Sequence, residues 1–262
     1  SLNNILVAHI EGGERSGTVD EIIRHSVSKM SHIHFVSNEE AKSRLIQMGE
    51  NDESIFIIGS PDIDLVESDE LPSLQTVKDI YAIDFEKYSI LLFHPVTTEY
   101  DSFKKYANNI VNSALKTNDN FVVIFPNNDN GSEFILSAYE TLKNNSNFQI
   151  FPSIRFEFFL VLLKNSQYIL GNSSAGIVEA PYYGVPTVNI GSRQNGRTNS
   201  NLIIHCDYDE KCIQEAIIKV PAEKHPVEKR FGIKGANLLF YENLENEFFW
   251  ETSKQKSFND LT

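Results

Sequence analysis

Short apolar runs alternate with longer stretches in which apolar residues recur every three or four positions, and the alternation continues along most of the chain. Runs rich in Ile, Val, Leu and Phe fit buried strands at 5–10, 34–36, 55–58, 90–93, 122–125, 148–151, 168–171 and 187–190. Helical periodicity between them predicts helices over 18–31, 38–48, 102–116, 131–144, 155–165, 177–183 and 210–220. Strand and helix at this spacing imply βαβ units and an α/β protein with a mostly parallel, doubly wound sheet. The rhythm breaks between Leu65 and about Ala82. There Glu67-Ser68-Asp69-Glu70-Leu71-Pro72-Ser73 is acidic, carries a proline and lacks a strand, which suits a linker between two α/β domains. About three strands precede it, too few for a free-standing sheet, and five follow, enough for a whole domain. A late amphipathic pattern at 236–249, ending in Phe248-Phe249-Trp250, suits a helix that packs back on the first domain. Only the last few polar residues read as disordered.

Charge narrows the partners. The 262 residues carry 36 Asp and Glu against 23 Lys and Arg, a formal charge of −13. Such a body repels nucleic acid and anionic membrane surfaces, so neither is an expected partner. An anionic small substrate would need a local cluster of Arg, His and backbone amides to overcome that field. Cys206 and Cys212 have no metal-like spacing, so neither a disulfide framework nor a zinc site is supported, and a reducing, cytoplasmic compartment is expected. No apolar run approaches the roughly 18–20 residues of a membrane helix. The chain opens on Ser1-Leu2-Asn3-Asn4 and enters the strand-like Ile5-Leu6-Val7-Ala8 almost at once, as a chain lacking its start would.

Ligands of open α/β sheets bind outside the carboxyl ends of strands, so the residues after each strand carry the candidate chemistry. After the first come Glu11-Gly12-Gly13-Glu14-Arg15-Ser16-Gly17, then a helix start at Thr18-Val19-Asp20-Glu21. Thr18 and Glu21 have capping-box spacing, and Asp20 and Arg24 lie four apart on one helical face, where they can pair. The stretch is either a capped acidic helix start or a pair of carboxylates, Glu11 and Asp20, set for acid–base work. His94 follows another strand and suits a phosphate or a proton transfer, although a lone His is more often structural. The turn Phe125-Pro126-Asn127 offers Asn127 to a base or ribose edge, or is an ordinary turn. The strongest signal is Gly171-Asn172-Ser173-Ser174-Ala175-Gly176-Ile177-Val178-Glu179. Its small residues at a helix start admit a phosphate, the Ser173 and Ser174 hydroxyls can donate, and Glu179 can accept from a ribose. Gly191-Ser192-Arg193-Gln194-Asn195-Gly196-Arg197 supplies the positive patch that the overall charge demands, and arginine's planar fork suits phosphate.

Taken together, His9-Ile10-Glu11-Gly12-Gly13-Glu14, Asp20-Glu21-Ile22-Ile23-Arg24-His25, Lys29-Met30-Ser31-His32, the Pro126-Asn127 turn, the Asn172–Glu179 stretch and the Arg193–Arg197 loop resemble the hydrolysing UDP-N-acetylglucosamine 2-epimerases, in order and over essentially the whole chain. The resemblance implies a glycosyltransferase-B-like fold of two Rossmann-like domains with substrate in the cleft between them. It assigns residues 1–66 to the carboxyl-terminal part of the first domain, 67–235 to a UDP-binding second domain and 236–262 to the returning helix. It implies UDP contacts from His94, Asn127, Ser173, Ser174, Glu179 and Arg193, substrate contacts from Arg24, Gln194 and Arg197, and catalytic roles for Glu11 and Asp20. No metal or redox cofactor is implied. The implied partners are UDP and a UDP-linked N-acetylated aminosugar, in a homodimer or homotetramer serving sialic or other nonulosonic acid and surface-polysaccharide synthesis. The family's third carboxylate, in an Asp-Arg pair ahead of the His-Ile-Glu strand, matches nothing here and would precede Ser1.

The implied chemistry is elimination of UDP across C1 and C2, then hydration of the glycal to a free manno-configured sugar. A UDP-2,4-diacetamido-2,4,6-trideoxyglucose substrate is the alternative within the family. A retaining glycosyltransferase and a non-catalytic UDP-binding module are the rivals outside it. Transfer from a UDP donor needs no proton removal at C2, so the Glu11 and Asp20 pair counts against the glycosyltransferase. The His-Ile-Glu-Gly-Gly-Glu and Arg-Gln-Asn-Gly-Arg forms favour the hydrolysing over the non-hydrolysing branch.

Overall fold

The structure, a computed structural model, describes residues 1–198, 200–221 and 226–260. The final residues 261–262, part of the polar end read as disordered, lie outside the described set. The chain forms two compact units, Ser1–Asp69 with Lys229–Thr262, and Glu70–Glu228. Their edges differ from the expected ones at 66/67 and 235/236. The second edge moves earlier because the returning chain joins unit 1 as soon as Arg230 and Phe231, whose carbonyls accept from Asn38 Nδ2 and Ser60 N.

Unit 1 holds three parallel strands, β1 (Ala8–Ile10), β2 (Ile33–Val36) and β3 (Ile55–Ile57), in the order β1-β2-β3. Helices α1 (Val19–Met30) and α2 (Glu39–Gln47) make the crossovers, and α3 (Pro61–Val66) follows β3. The expected strand 5–10 shrinks to three residues, since β1 pairs with β2 only from Ala8 onward and Ile5 is exposed. Phe35, fully buried on the central strand, contacts the rings of Phe56, Phe240 and Phe249. The last two belong to α10 (Ala236–Glu245) and α11 (Glu247–Trp250).

Unit 2 begins with α4 (Leu74–Tyr81), a helix inside the segment read as linker. Its apolar positions Leu74, Val77, Ile80 and Tyr81 do recur at helical spacing, but over only eight residues beside an acidic, proline-bearing stretch; Val77 is buried and Tyr81 packs edge-on against Phe151 and Phe158 of this unit. Six parallel strands follow: β4 (Ser89–Leu92), β5 (Phe121–Ile124), β6 (Phe148–Phe151), β7 (Ile169–Gly171), β8 (Thr187–Ile190) and β9 (Ile203–Cys206). Helices α5 (Tyr100–Leu115), α6 (Ser132–Tyr139), α7 (Phe156–Lys164), α8 (Glu179–Tyr182) and α9 (Glu210–Ile218) complete the layers. Strand β9, unforeseen from sequence, is a half-exposed edge strand that runs beside β8 in register Thr187↔Ile203. The core gathers Leu91, Phe103, Val123, Tyr139, Leu170 and Val188 from both sheet and helices.

The order β6-β5-β4-β7-β8-β9 reverses direction between β4 and β7. A doubly wound sheet opens a crevice at such a switch point, outside the carboxyl ends of its two middle strands. His94 follows β4 and Asn172-Ser173-Ser174 follow β7, so the topology delivers two of the sequence motifs to one place.

Candidate active site

In unit 2 the organising residue is Asn172, which lies in the strongest sequence motif but is given no role there. It is fully buried. Its amide oxygen accepts from His94 N at 2.7 Å and its amide nitrogen donates to His94 O at 2.9 Å, bridging the switch point. Its main-chain oxygen accepts from Arg193 Nη1 at 3.1 Å and Gln194 Nε2 at 2.8 Å. Asn127 N donates to His94 Nδ1 at 3.1 Å, and Arg197 Nη1 donates to Gln194 Oε1 at 3.0 Å. His94, Asn127, Arg193, Gln194 and Arg197 are thus drawn into one hydrogen-bonded set. A side chain at Gly171 is excluded, because a Cβ there would lie 2.0 Å from Leu92 O.

Ser173 and Ser174 adjoin this set, Ser173 buried and Ser174 exposed. The expected helix at 177–183 is replaced by a 3-10 turn, Ser174–Gly176, and the four-residue α8. Pro181 inside α8 has no N–H to continue a helical ladder. So short an element has little macrodipole, and its turn amides are already engaged: Ala175 N with Ser173 Oγ, and Ile177 N and Val178 N with Ser174 O. The local charge for an anion therefore rests on Arg193, Arg197 and the two hydroxyls. Glu179 opens α8 and is 6% exposed.

In unit 1 Glu11 directly follows β1 with φ 62°, in the left-handed region that a side chain disfavours. Its N–H donates to Phe35 O at 2.8 Å, its carbonyl accepts from Arg24 Nη1 at 2.9 Å, and its Oε1 accepts from Ser60 Oγ. Arg24 also reaches Ser16 Oγ at 3.4 Å, so it supports the Glu11 turn, and no pair with Asp20 forms. The expected capping box is also redrawn. Thr18 Oγ1 accepts from Asp20 N, whereas Glu21 Oε2 accepts from Ser16 N and Glu21 Oε1 meets His25 at 3.2 Å. Glu21 turns away because the Gly-rich loop brings Ser16 nearer to it than the cap. Asp20 sits exposed on the first turn of α1, with Thr18 Oγ1 donating to it at 3.0 Å, and is not in contact with Glu11. The other acid of the motif, Glu14, is 7% exposed and accepts from Ser37 Oγ. No periodicity marks it as buried; the signal was two glycines before a lone acid.

Burial depresses His9, His32, His94 and His205, the first and third of them most. His94 is lowered from 6.5 to about 4 by burial and the neighbouring Arg193, partly offset by the Asn127 side chain. His9, whose Nδ1 lies 3.0 Å from Ser28 Oγ, is lowered from 6.5 to about 4 by burial and then by His34, Arg24 and His25. Each is neutral in the folded protein at pH values where the unfolded chain still protonates it, so the unfolded state binds more protons between pH 4 and 6.5. The expected result is a thermal midpoint that climbs from pH 4 to 6.5 and then levels, with a shallower climb in His94→Gln. A midpoint flat across that window would refute it. Among the described residues no group of three His, Cys, Asp or Glu could hold a metal ion, and no helix is long and apolar enough to cross a membrane.

Two parallel α/β units, with polar side chains collected at the switch point of the second, define a glycosyltransferase-B-like protein, the architecture that the sequence resemblance implied. The chain belongs to the UDP-N-acetylglucosamine 2-epimerase family, whose model matches residues 1–237. It is 48% identical over 266 aligned positions to the UDP-N-acetylglucosamine 2-epimerase of Neisseria meningitidis serogroup B, covering 100% of this chain and 70% of the relative. It is 40% identical to the UDP-N,N'-diacetylbacillosamine 2-epimerase (hydrolyzing) of Legionella pneumophila, covering 78% of this chain and 54% of that one. The fold is similar to the crystal structure of a UDP-GlcNAc 2-epimerase from Neisseria meningitidis bound to UDP-GlcNAc, with TM-score 0.77, 22% identity, and coverage of 93% of this chain and 70% of that one.

Proposed function

We propose that this chain carries Glu11 and the UDP-binding unit of a hydrolysing 2-epimerase, which converts UDP-N-acetylglucosamine and water to N-acetylmannosamine and UDP. The observation that carries the reading is Glu11, an acid in a left-handed backbone conformation at a strand's carboxyl end, with amide, carbonyl and carboxylate each bound. Strained residues held by their surroundings cluster at functional sites. The hydrolysing type is supported by the 40% identity to a relative whose name states it.

In the proposed reaction a carboxylate removes the C2 proton while the C1–O bond breaks and its electron pair leaves with UDP. Water then adds its hydroxyl at C1, and a proton reaches C2 from the opposite face. Glu11 and Asp20 share these transfers. Asp20 is accessible on the first turn of α1. Arg193, with the Ser173 and Ser174 hydroxyls and neutral His94, meets the charge growing on the departing diphosphate. Asn127 reads the base or ribose and Glu179 the ribose hydroxyls. Gln194, 2% exposed and bonded at both ends of its amide, shapes the loop for Arg193 and Arg197.

The test is product analysis of the full-length gene product in heavy water. UDP-N-acetylglucosamine should yield free N-acetylmannosamine carrying deuterium at C2, with UDP released. Deuterated product still linked to UDP would indicate the non-hydrolysing type, and a retained C2 hydrogen would sink the epimerase reading. The Legionella relative favours one second reading, a UDP-linked diacetamido trideoxy sugar as substrate. Faster turnover of that sugar in the same assay would establish it.

A further inference from the structure

We infer that Ser60 is a positioning residue for Glu11, a helix-cap serine diverted from its own helix to orient the carboxylate; this rests on the proposed role of Glu11. Ser60 stands at the N-cap of α3, directly before Pro61. Serine at that position ordinarily accepts from an amide of the first turn, as Ser73 does before α4. Ser60 makes no such cap. Its hydroxyl instead donates to Glu11 Oε1, across 49 residues of sequence. A hydroxyl has one proton, and here that proton is committed to a carboxylate oxygen on another strand's end.

The serine is itself immobilised. It is 1% exposed, and its amide donates to Phe231 O at 2.8 Å. The returning chain lies close against this loop: a Cβ on Gly232 would come within 2.7 Å of Gly59 Cα, so backbone meets backbone with no side chain between. The order of support runs from the returning segment 229–232 to Ser60, and from Ser60 to the Glu11 carboxylate. Arg24 and Phe35 hold only the main chain of Glu11. Among these contacts Ser60 alone selects a rotamer for the acid. A carboxylate that must meet C2 of a bound sugar gains from that selection, because misplacement by about 1 Å can cost on the order of 10²-fold in rate.

The experiment compares Ser60→Ala, Ser60→Thr, Glu11→Gln and the double variant Ser60→Ala/Glu11→Gln in the full-length gene product. Ser60→Ala removes one oxygen and leaves the amide bond to Phe231 in place, so the fold is retained and melting curves verify it. Expected is a fall in kcat of about 10–100-fold with KM little changed, on the scale of a lost positioning contact. Ser60→Thr, which keeps the hydroxyl, should recover most of it. Adding Ser60→Ala to Glu11→Gln should lower kcat no further, because the serine acts through the acid. Normal kcat in Ser60→Ala alongside a crippled Glu11→Gln would overturn the positioning role and leave the proposed function standing. A further loss in the double variant would also overturn it. Normal turnover in Glu11→Gln would instead remove the role of Glu11 on which the inference rests.

Discussion

Glu11→Gln is expected to lower turnover of the full-length gene product by about 10²–10⁴-fold, the loss typical of a missing general acid or base. The substitution keeps the shape of the side chain and an oxygen for the Ser60 hydroxyl, and the main-chain bonds to Phe35 and Arg24 are untouched. Folding and UDP affinity should therefore stay near wild type, which steady-state kinetics, melting curves and UDP calorimetry would check together. Asp20→Asn belongs to the same experiment. Asp20 is exposed and, among the described residues, only Thr18 binds its carboxylate, so any large loss of turnover there reflects chemistry and not stability. A folded Asp20→Asn enzyme with normal turnover would return Asp20 to a capping role.

Asn172→Ala should show the largest loss of stability, and it should lose UDP binding as well. The truncation leaves the His94 amide and carbonyl without their partners at the switch point. A buried donor or acceptor left unsatisfied costs about 1–3 kcal/mol, so the pair amounts to about 2–6 kcal/mol. For a unit of this size that corresponds to a fall of about 4–24 °C in thermal midpoint. UDP affinity should fall with it, because the side chain registers the β4 loop on the β7 loop, whereas the bonds from Arg193 and Gln194 go to its main-chain oxygen and remain. Arg193→Ala is the control: the midpoint should hold while UDP binding weakens by about 1.5–3 kcal/mol, the value of one charge-assisted bond. A stable Asn172→Ala protein that binds UDP normally would show that the crevice does not depend on that bridge.

Much of this was legible in the chain, and the failures have physical causes. Strand 187–190 matches its observed limits because four consecutive buried positions leave little ambiguity, and 148–151 matches because its Phe-Gln-Ile-Phe run stands out as apolar although only Phe148 is buried. Strand β9 escaped because an edge strand is half exposed and its identity depends on pairing with β8. Helix α4 escaped because its pattern, Leu74, Val77, Ile80 and Tyr81, is only two turns long and follows directly on the acidic, proline-bearing stretch that reads as linker. The phosphate-binding helix was read from small residues at a helix start, but the Pro181 in its second half cut it to a turn and four residues.

The candidate residues divide in the same way. Residue type and position after a strand were enough to single out Glu11, His94, Ser173, Glu179 and Arg193, since strand ends in a parallel sheet all open on one edge. Which of them share a structure was decided by tertiary contacts. Asp20 and Arg24 have the spacing of an ion pair, yet Arg24 is taken by the Glu11 carbonyl, a stronger local demand created by the left-handed turn. Asn172 and Ser60 drew no role from sequence. Both are committed elsewhere, Asn172 to a strand end 78 residues away and Ser60 to one 49 residues away. Local sequence determines which groups need a hydrogen-bond partner. Only the packed fold decides which partner is near enough to satisfy them.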